Sequence, residues 1–266
     1  MNKKLSLYLP LTILLAVSMA ALFAEQLSLN NPLAVDLLAR LQGMSAEYPL
    51  GTDQLGRCVY SRILYGARET LGAALTVLLI SVSVGTVLGL LAGFFGGYPD
   101  YLIQKAVEGI MAFPGIILAL VLTGILGPGL TNIVIAISMV HWVGYTRLVR
   151  NLTASLRERS FVKAALVSGA GYCSILYRHI LPQVLPELIS LSTLDYGRII
   201  LTIAGLSFLG LGVQPPTPEW GSMLLDGKAY MQLAPHIILW PGLAIVIVVG
   251  CLNSLGRYFL QNRKDF

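Results

Sequence analysis

Charge is what this 266-residue chain lacks most. Asp, Glu, Lys and Arg together make up 12% of it, about half the share in an average soluble domain. Hydrophobic residues make up 56%, and the mean hydropathy is +0.75. Too little polar material remains to cover a surface around one core. That excludes a soluble enzyme, a secreted disulfide scaffold and a disordered tail, and it points to a polytopic membrane protein. Cysteine is scarce too. Cys58, Cys173 and Cys251 lie far apart, with neither a CxxC pair nor a zinc spacing, and read as small apolar fillers. No GxxxxGK[ST] phosphate loop occurs, and GFFGGYPD has neither its lysine nor its context. HExxH and GxSxG are absent as well. The chain therefore reads as no enzyme, and active transport would need energy from another chain. No basic face interleaved with aromatics is present to bind nucleic acid.

What is present is a series of apolar runs. At about 20 residues per span the chain has room for roughly five to seven helices. Six are expected, in an all-α architecture: Leu5–Ala24, Leu71–Phe95, Val107–Leu126 with Pro114 inside it, Asn132–Leu148, Leu185–Gly212 and Pro235–Tyr258. The first is too long for a signal-peptide core, and the bulky Leu22 sits at −3 from Ala24, so it is expected to be a retained span. A short inner loop is expected between spans two and three, and a proline-rich outer loop over Val213–Ala234.

Basic residues orient the bundle. With the N-terminus inside, Lys3, Lys4, Lys105, Arg147, Arg150, Arg157, Arg159, Lys163, Arg178, Arg257, Arg263 and Lys264 are internal. Arg40, Arg57, Arg62, Arg68 and Lys228 are external, and Arg198 lies within a span. Twelve against five of the 18 follows the positive-inside rule. The three arginines between positions 57 and 68 are the exception.

Several patterns carry chemistry. Gly85, Gly89, Gly93 and Gly97 recur every four residues, on one helix face where another backbone can come close. They suit a contact that slides, and plain packing serves equally. Asp195 and Arg198 are neighbours at i, i+3. At membrane depth they either line a route for a cationic or zwitterionic substrate or form a neutralised structural pair. His141 stands beside Trp142 and Tyr145. Imidazole is a good ligand for nickel, copper or zinc, but one histidine does not make a metal site, and a hydrogen-bonded buried histidine fits as well. His236 is expected at the outer mouth of span six. The stretch Phe161–Pro186 reads as an amphipathic turn, a bend at Gly169 and Gly171, and a second short helix broken at Pro182. Such a projecting helix–turn–helix is a docking knob in form, and longer and more apolar than a plain connection needs to be.

Four segments resemble the inner-membrane permeases of ATP-binding-cassette importers, in the dipeptide/oligopeptide/nickel branch. They are PLGTDQLGRCVYSRILYGAR (Pro49–Arg68), AALVSGAGYCSILYRHILP (Ala164–Pro182), LSFLGLGVQPPTPEWGSML (Leu206–Leu224) and PGLAI (Pro241–Ile245). The second is similar to the EAA-type coupling loop that docks on the ATPase subunit. By this resemblance the docking residues are Lys163, Ala164, Ala165, Gly169, Ile180, Leu181 and Pro182. Lys163 stands where the loop usually has an acid, so a salt bridge made by that acid would be absent or reversed. Cys58 and Ile203 also depart from the branch, where an aspartate and a glutamate are common. The runs Gly129–Arg150 and Ser192–Arg198 look more like the nickel-transport C-type subunit, whose histidine–tryptophan pair and intramembrane aspartate map to His141, Trp142 and Asp195. Arg198 stands where that subunit tends to carry a second histidine.

The resemblance implies an N-terminal membrane helix and outer loop over residues 1–48, and a five-helix transmembrane domain over 49–266. It implies a homologous second permease, two ATPase chains that bind ATP and magnesium, and an extracytoplasmic substrate-binding protein. This chain itself would hold no cofactor and, His141 aside, no metal candidate. It would lie in a bacterial inner membrane with both termini cytoplasmic, and its cargo would be nickel or a metal–chelator complex. A dipeptide/oligopeptide permease is the alternative. An ion-coupled secondary transporter is a more distant one, because it predicts inverted repeats and several membrane carboxylates where the sequence offers Asp195 and no repeat.

Overall fold

The computed structural model describes residues 5–261. Lys3, Lys4, Arg263 and Lys264 of the orientation count lie outside the described residues. The described chain is helical, and its nearest approach to a strand is an isolated bridge between Thr52 and Cys58. In order the helices are α1 (Leu5–Leu22), α2 (Ala24–Leu27), α3 (Val59–Phe95), α4 (Gly97–Met111), α5 (Gly115–Leu126), α6 (Leu130–Arg157), α7 (Ser160–Val167), α8 (Tyr172–Ile175), α9 (Leu181–Phe208), α10 (Trp220–Gly227) and α11 (His236–Gln261).

Among the described residues four continuous helices are long and apolar enough to cross a membrane: α3, α6, the run Tyr172–Phe208 that joins α8 to α9, and α11. The broken pair α4–α5 makes a fifth. The 18-residue α1 packs against α11 and α3. At 1.5 Å per residue it is about 27 Å long, close to the thickness of a bilayer core.

Three expectations need correction. The third span is not one helix over Val107–Leu126. The chain turns by 83° between α4 and α5, because Pro114 caps α5 in an extended conformation and supplies no amide hydrogen to continue α4. The short loop expected before it is also absent, since α4 begins directly after Gly96, whose φ of 64° ends α3. Thirdly, Pro182 does not break the helix that leads into α9. A π turn over Leu176–Ile180 precedes it, with Leu181 N–H donating to Leu176 O. That wide turn takes up the amide that proline lacks, and the helix runs on.

The core lies where α3, α6, α9 and α11 meet. Val77, Ile133, Ile137, Val149, Ile180, Val184, Ile199 and Ile203 are buried there. α3 and α6 run parallel and in tight register. A Cβ added at Gly89 would lie 2.6 Å from Val149 Cβ and 2.8 Å from Thr146 O, and one at Gly93 would lie 2.5 Å from Arg150 O. Gly85 abuts Tyr145 and the Trp142 carbonyl. Gly97 takes no part in this contact: with φ +56 it opens α4, and no atom approaches an added Cβ within 4 Å.

The bundle has two distinct ends. At one, α10 packs on α9, α11 and α3, and Gly129 N–H donates to Leu211 O. At the other, α7 and α8 project between α6 and α9. Leu79, Val87, Ile125 and Val246 are exposed along the spans, as expected of surfaces that meet lipid or another subunit.

Candidate functional site

Three constellations stand out. The first is a polar patch at mid-depth on α6 and α9. His141 is eleven residues from Leu130, and Arg198 is ten from Phe208. Both residues are therefore about 15 Å from the α10 end, near the middle of a bilayer core about 30 Å thick. Arg198 Nη1 donates to Asp195 Oδ1 at 3.0 Å. The Asp195 side chain is 13% exposed and that of Arg198 67%. The buried Tyr145 hydroxyl lies beside Asp195 and Ser192 without a well-aligned hydrogen bond to either. His141 lies within electrostatic reach of Asp195 and Arg198. It also lines a cavity of about 120 Å³ with Gly115, Ala119, Val140 and Thr202. Trp142 Nε1 donates to Met139 O at 2.9 Å on its own helix. Among the described residues no three His, Cys, Asp or Glu side chains gather in a way that could hold a metal ion.

The second constellation is the projecting element at the far end. α7 carries Lys163, Ala164 and Ala165, and the turn at Gly169 has φ +79. Val162, Ile175 and Ile180 anchor its inner side and are fully buried. Tyr172 stacks edge-on against Phe94 and Phe95 at the end of α3, with both centroids at 5.8 Å. Ala164 and Pro182 are exposed, and Ala165 and Leu181 half-buried. Lys163 Nζ lies 2.9 Å from Glu158 Oε2, and that ammonium holds the Glu158 carboxyl below the usual range. Cys173, taken from the sequence as an apolar filler, is exposed beside Tyr172.

The third constellation lies at the α10 end. Asp53, Arg57 and Arg62 are almost fully buried. Arg57 Nε lies 2.6 Å and Arg62 Nε 3.4 Å from Asp53 Oδ2, and Arg57 Nη2 lies 3.4 Å from Asp226. Arg62 also donates to Pro32 O and Pro216 O. Two of the three arginines that stood out in the charge count are thus interior ion-pair partners rather than loop charges, while Arg68 is exposed. His236 Nε2 lies 3.1 Å from Thr52 O and ties α11 to the same segment. Glu219 opens a loop that reads as exposed in sequence, yet it is fully buried.

The sequence matches the family described as the binding-protein-dependent transport system inner membrane component over residues 85–262. It is 41% identical over 256 residues to the nickel transport system permease protein NikC of Escherichia coli (strain K12), covering 96% of this chain and 92% of that one.

The chain belongs to this family of ABC importer permeases.

Other relatives of this permease differ in the cargo they are named for. It is 42% identical to the dipeptide transport system permease protein DppC of Alkalihalophilus pseudofirmus, over 92% of this chain and 81% of that one. It is 41% identical to the glutathione transport system permease protein GsiD of Pectobacterium atrosepticum, over 81% and 71%. Its fold is shared with a solved structure described as inward-facing conformations of the MetNI methionine ABC transporter. The TM-score is 0.58 at 18% identity, covering 75% of this chain and 94% of that one. ABC importer permeases work with ATPase subunits, which sets the ion-coupled alternative aside. The permease is a multi-pass membrane component and not itself an enzyme.

Sequence reasoning found His141, Asp195 and Arg198, which the fold brings together. It missed Tyr145 as a member of that patch, although the residue stands one helical turn from His141. It also missed the capping role of Glu219. No sequence signal marked that role, because glutamate is not among the residues favoured at an N-cap.

Proposed function

We propose that this permease moves nickel, as the ion or as a small metal–chelator complex, across a bacterial inner membrane with both termini cytoplasmic. The observation that carries the reading is the 41% identity to a nickel permease over 96% of the chain. The patch of His141, Asp195 and Arg198 at mid-depth supports it, because a buried carboxylate beside an imidazole suits a cationic cargo. His141, Trp142, Asp195 and Arg198 stand as the translocation-path residues.

In this reading residues 1–48 supply an accessory helix and outer segment, and 49–266 form the transporting domain. A homologous permease completes the path, two ATPase chains bind ATP and magnesium, and a binding protein delivers cargo at the α10 end. The ATPase docks on Lys163, Ala164, Ala165, Gly169, Ile180, Leu181 and Pro182. The buried Ile180 would act there as a support for the exposed residues. Gly85, Gly89 and Gly93 hold α3 to α6 while the two permeases rock.

The test is nickel accumulation at trace supply in cells lacking this chain and in complemented cells. Accumulation that falls on deletion and returns on complementation supports the reading, and unchanged nickel overturns it. Dipeptide transport is the second reading, favoured by the 42% identity to a dipeptide permease. It predicts loss of dipeptide uptake in the same strains.

A further inference from the structure

We propose that Arg198 is a tethered competitor for the cargo. Its guanidinium occupies the Asp195 carboxylate in the empty path, and a cargo with a positive centre displaces it. This rests on reading the mid-depth patch as the translocation path.

The depth comes first. Arg198 lies about 15 Å from the end of α9, and its side chain is 67% exposed. An arginine at that depth does not face lipid, so it faces water or a path shared with a second subunit.

The pair is also asymmetric. Asp195 is held by the packing of α9 against its neighbours, whereas the Arg198 side chain projects from them. The two groups sit at i, i+3 on one helix, so the contact opens when a single long side chain turns away. No packing between helices breaks. The guanidinium end of the pair is exposed even though the carboxylate is not, so water can take up the arginine and the contact can exchange.

A third group is ready to take the place of Arg198. The Tyr145 hydroxyl is buried and lies beside Asp195 without a well-aligned hydrogen bond to it. A buried donor without an acceptor is unfavourable, and so is a buried carboxylate without a partner. Each relieves the other once the guanidinium leaves. Tyr145 would then hold the carboxylate in place while a cation occupies the vacated side. His141 stands within electrostatic reach and offers an imidazole nitrogen from the wall of the 120 Å³ cavity. Asp195 and Arg198 are the charges that act on both His141 and Tyr145. The arrangement selects a positive centre, either a divalent metal ion or an ammonium group, and it disfavours anions.

A bound competitor lowers apparent affinity by the fraction of time the site is free. Removing it must therefore tighten binding, which the loss of a structural ion pair does not do. The experiment uses the complete importer, purified without a polyhistidine tag and without its binding protein. Equilibrium binding of radioactive Ni²⁺ and of the dipeptide dilysine is measured. Arg198→Gln is expected to bind at least one of these probes about three- to tenfold more tightly than the unaltered importer. The double variant Arg198→Gln/Asp195→Asn is expected to lose that gain, and Arg198→Gln/Tyr145→Phe to lose part of it. Equal or weaker binding by Arg198→Gln overturns the proposal, as does a gain that survives Asp195→Asn or binding of neither probe by any form. A gain for dilysine alone supports the competitor while removing nickel as the cargo. Retention of the ATPase chains in the same preparations tests the permease assembly separately.

Discussion

The Glu219 carboxylate accepts a hydrogen bond from Thr70 Oγ1 at 3.0 Å, and both side chains are fully buried. The same carboxylate accepts from the N–H groups of Gly221 and Ser222, each at 2.9 Å, and so caps α10. Thr70 Oγ1 in turn lies 3.2 Å from Trp220 N. One acid thus starts a helix in the loop between α9 and α11 and pins it to α3.

Replacing Glu219 by alanine should remove the cap and leave Thr70 and two amides unpaired. The expected loss is about 2–4 kcal/mol, a cap plus buried unsatisfied donors. Thermal unfolding of the detergent-purified permease would show it. A midpoint unchanged within error would mean that water replaces the carboxylate.

Gly89→Val should separate α3 from α6, because the first added carbon already meets Val149 and a backbone carbonyl at 2.6 and 2.8 Å. Gly72→Ala is the control on the same helix, since nothing lies within 4 Å of its added Cβ. Overpacking should cost about 1–3 kcal/mol at Gly89, while Gly72→Ala is expected to be neutral or stabilising by up to about 1 kcal/mol. Equal expression and monodispersity of both variants would refute the close-packing account.

At the α10 end, Arg62→Ala leaves Asp53 and two carbonyls short of a buried partner. Breaking a buried pair in this way costs about 3–5 kcal/mol. Arg40→Ala removes an exposed arginine that stacks on Tyr230 at 5.6 Å, and should change stability by no more than about 0.5 kcal/mol. The two variants can be ranked by the denaturing-detergent concentration at which the fold is lost.

The docking element can be tested without disturbing the bundle. Gly169 has φ +79 and open space around its Cα, so Gly169→Val strains the turn between α7 and α8 by about 1–3 kcal/mol. Retention of the ATPase on the purified permease should fall at least several-fold, with the unfolding midpoint little changed. Lys163→Glu places like charge against Glu158 and should weaken retention most at low salt, because both side chains are more than half exposed. Full retention in both variants would remove this element from the interface.

The Lys163–Glu158 pair also has a definite pH dependence. The Glu158 carboxyl is held below its ordinary value by the Lys163 ammonium, so any contribution from the pair is present above the ordinary carboxylate range. It disappears as pH falls through the lowered value. Retention of the ATPase should therefore be flat between neutral pH and pH 5 as far as this pair is concerned. A step near pH 6 would assign the dependence to another group.

The sequence by itself determined the class of this protein and the spacing of its parts. Apolar runs, the tally of basic residues and the four-residue period of Gly85, Gly89 and Gly93 are local quantities, and they are legible because a helix repeats every 3.6 residues wherever it lies. The mid-depth aspartate was equally legible, since a charge inside an apolar run is conspicuous. Tertiary structure decided how those parts combine. Whether Pro114 or Pro182 interrupts a helix depends on the turn before each: a sharp bend at the first, a π turn at the second. Whether Glu219 faces water or Thr70 depends on a partner 149 residues away. The meeting of Tyr145 with Asp195, and the burial of Arg57 and Arg62, depend on the register in which separate helices pack. Register is set by close fit across helix faces, a property of pairs of segments that no single stretch of sequence carries.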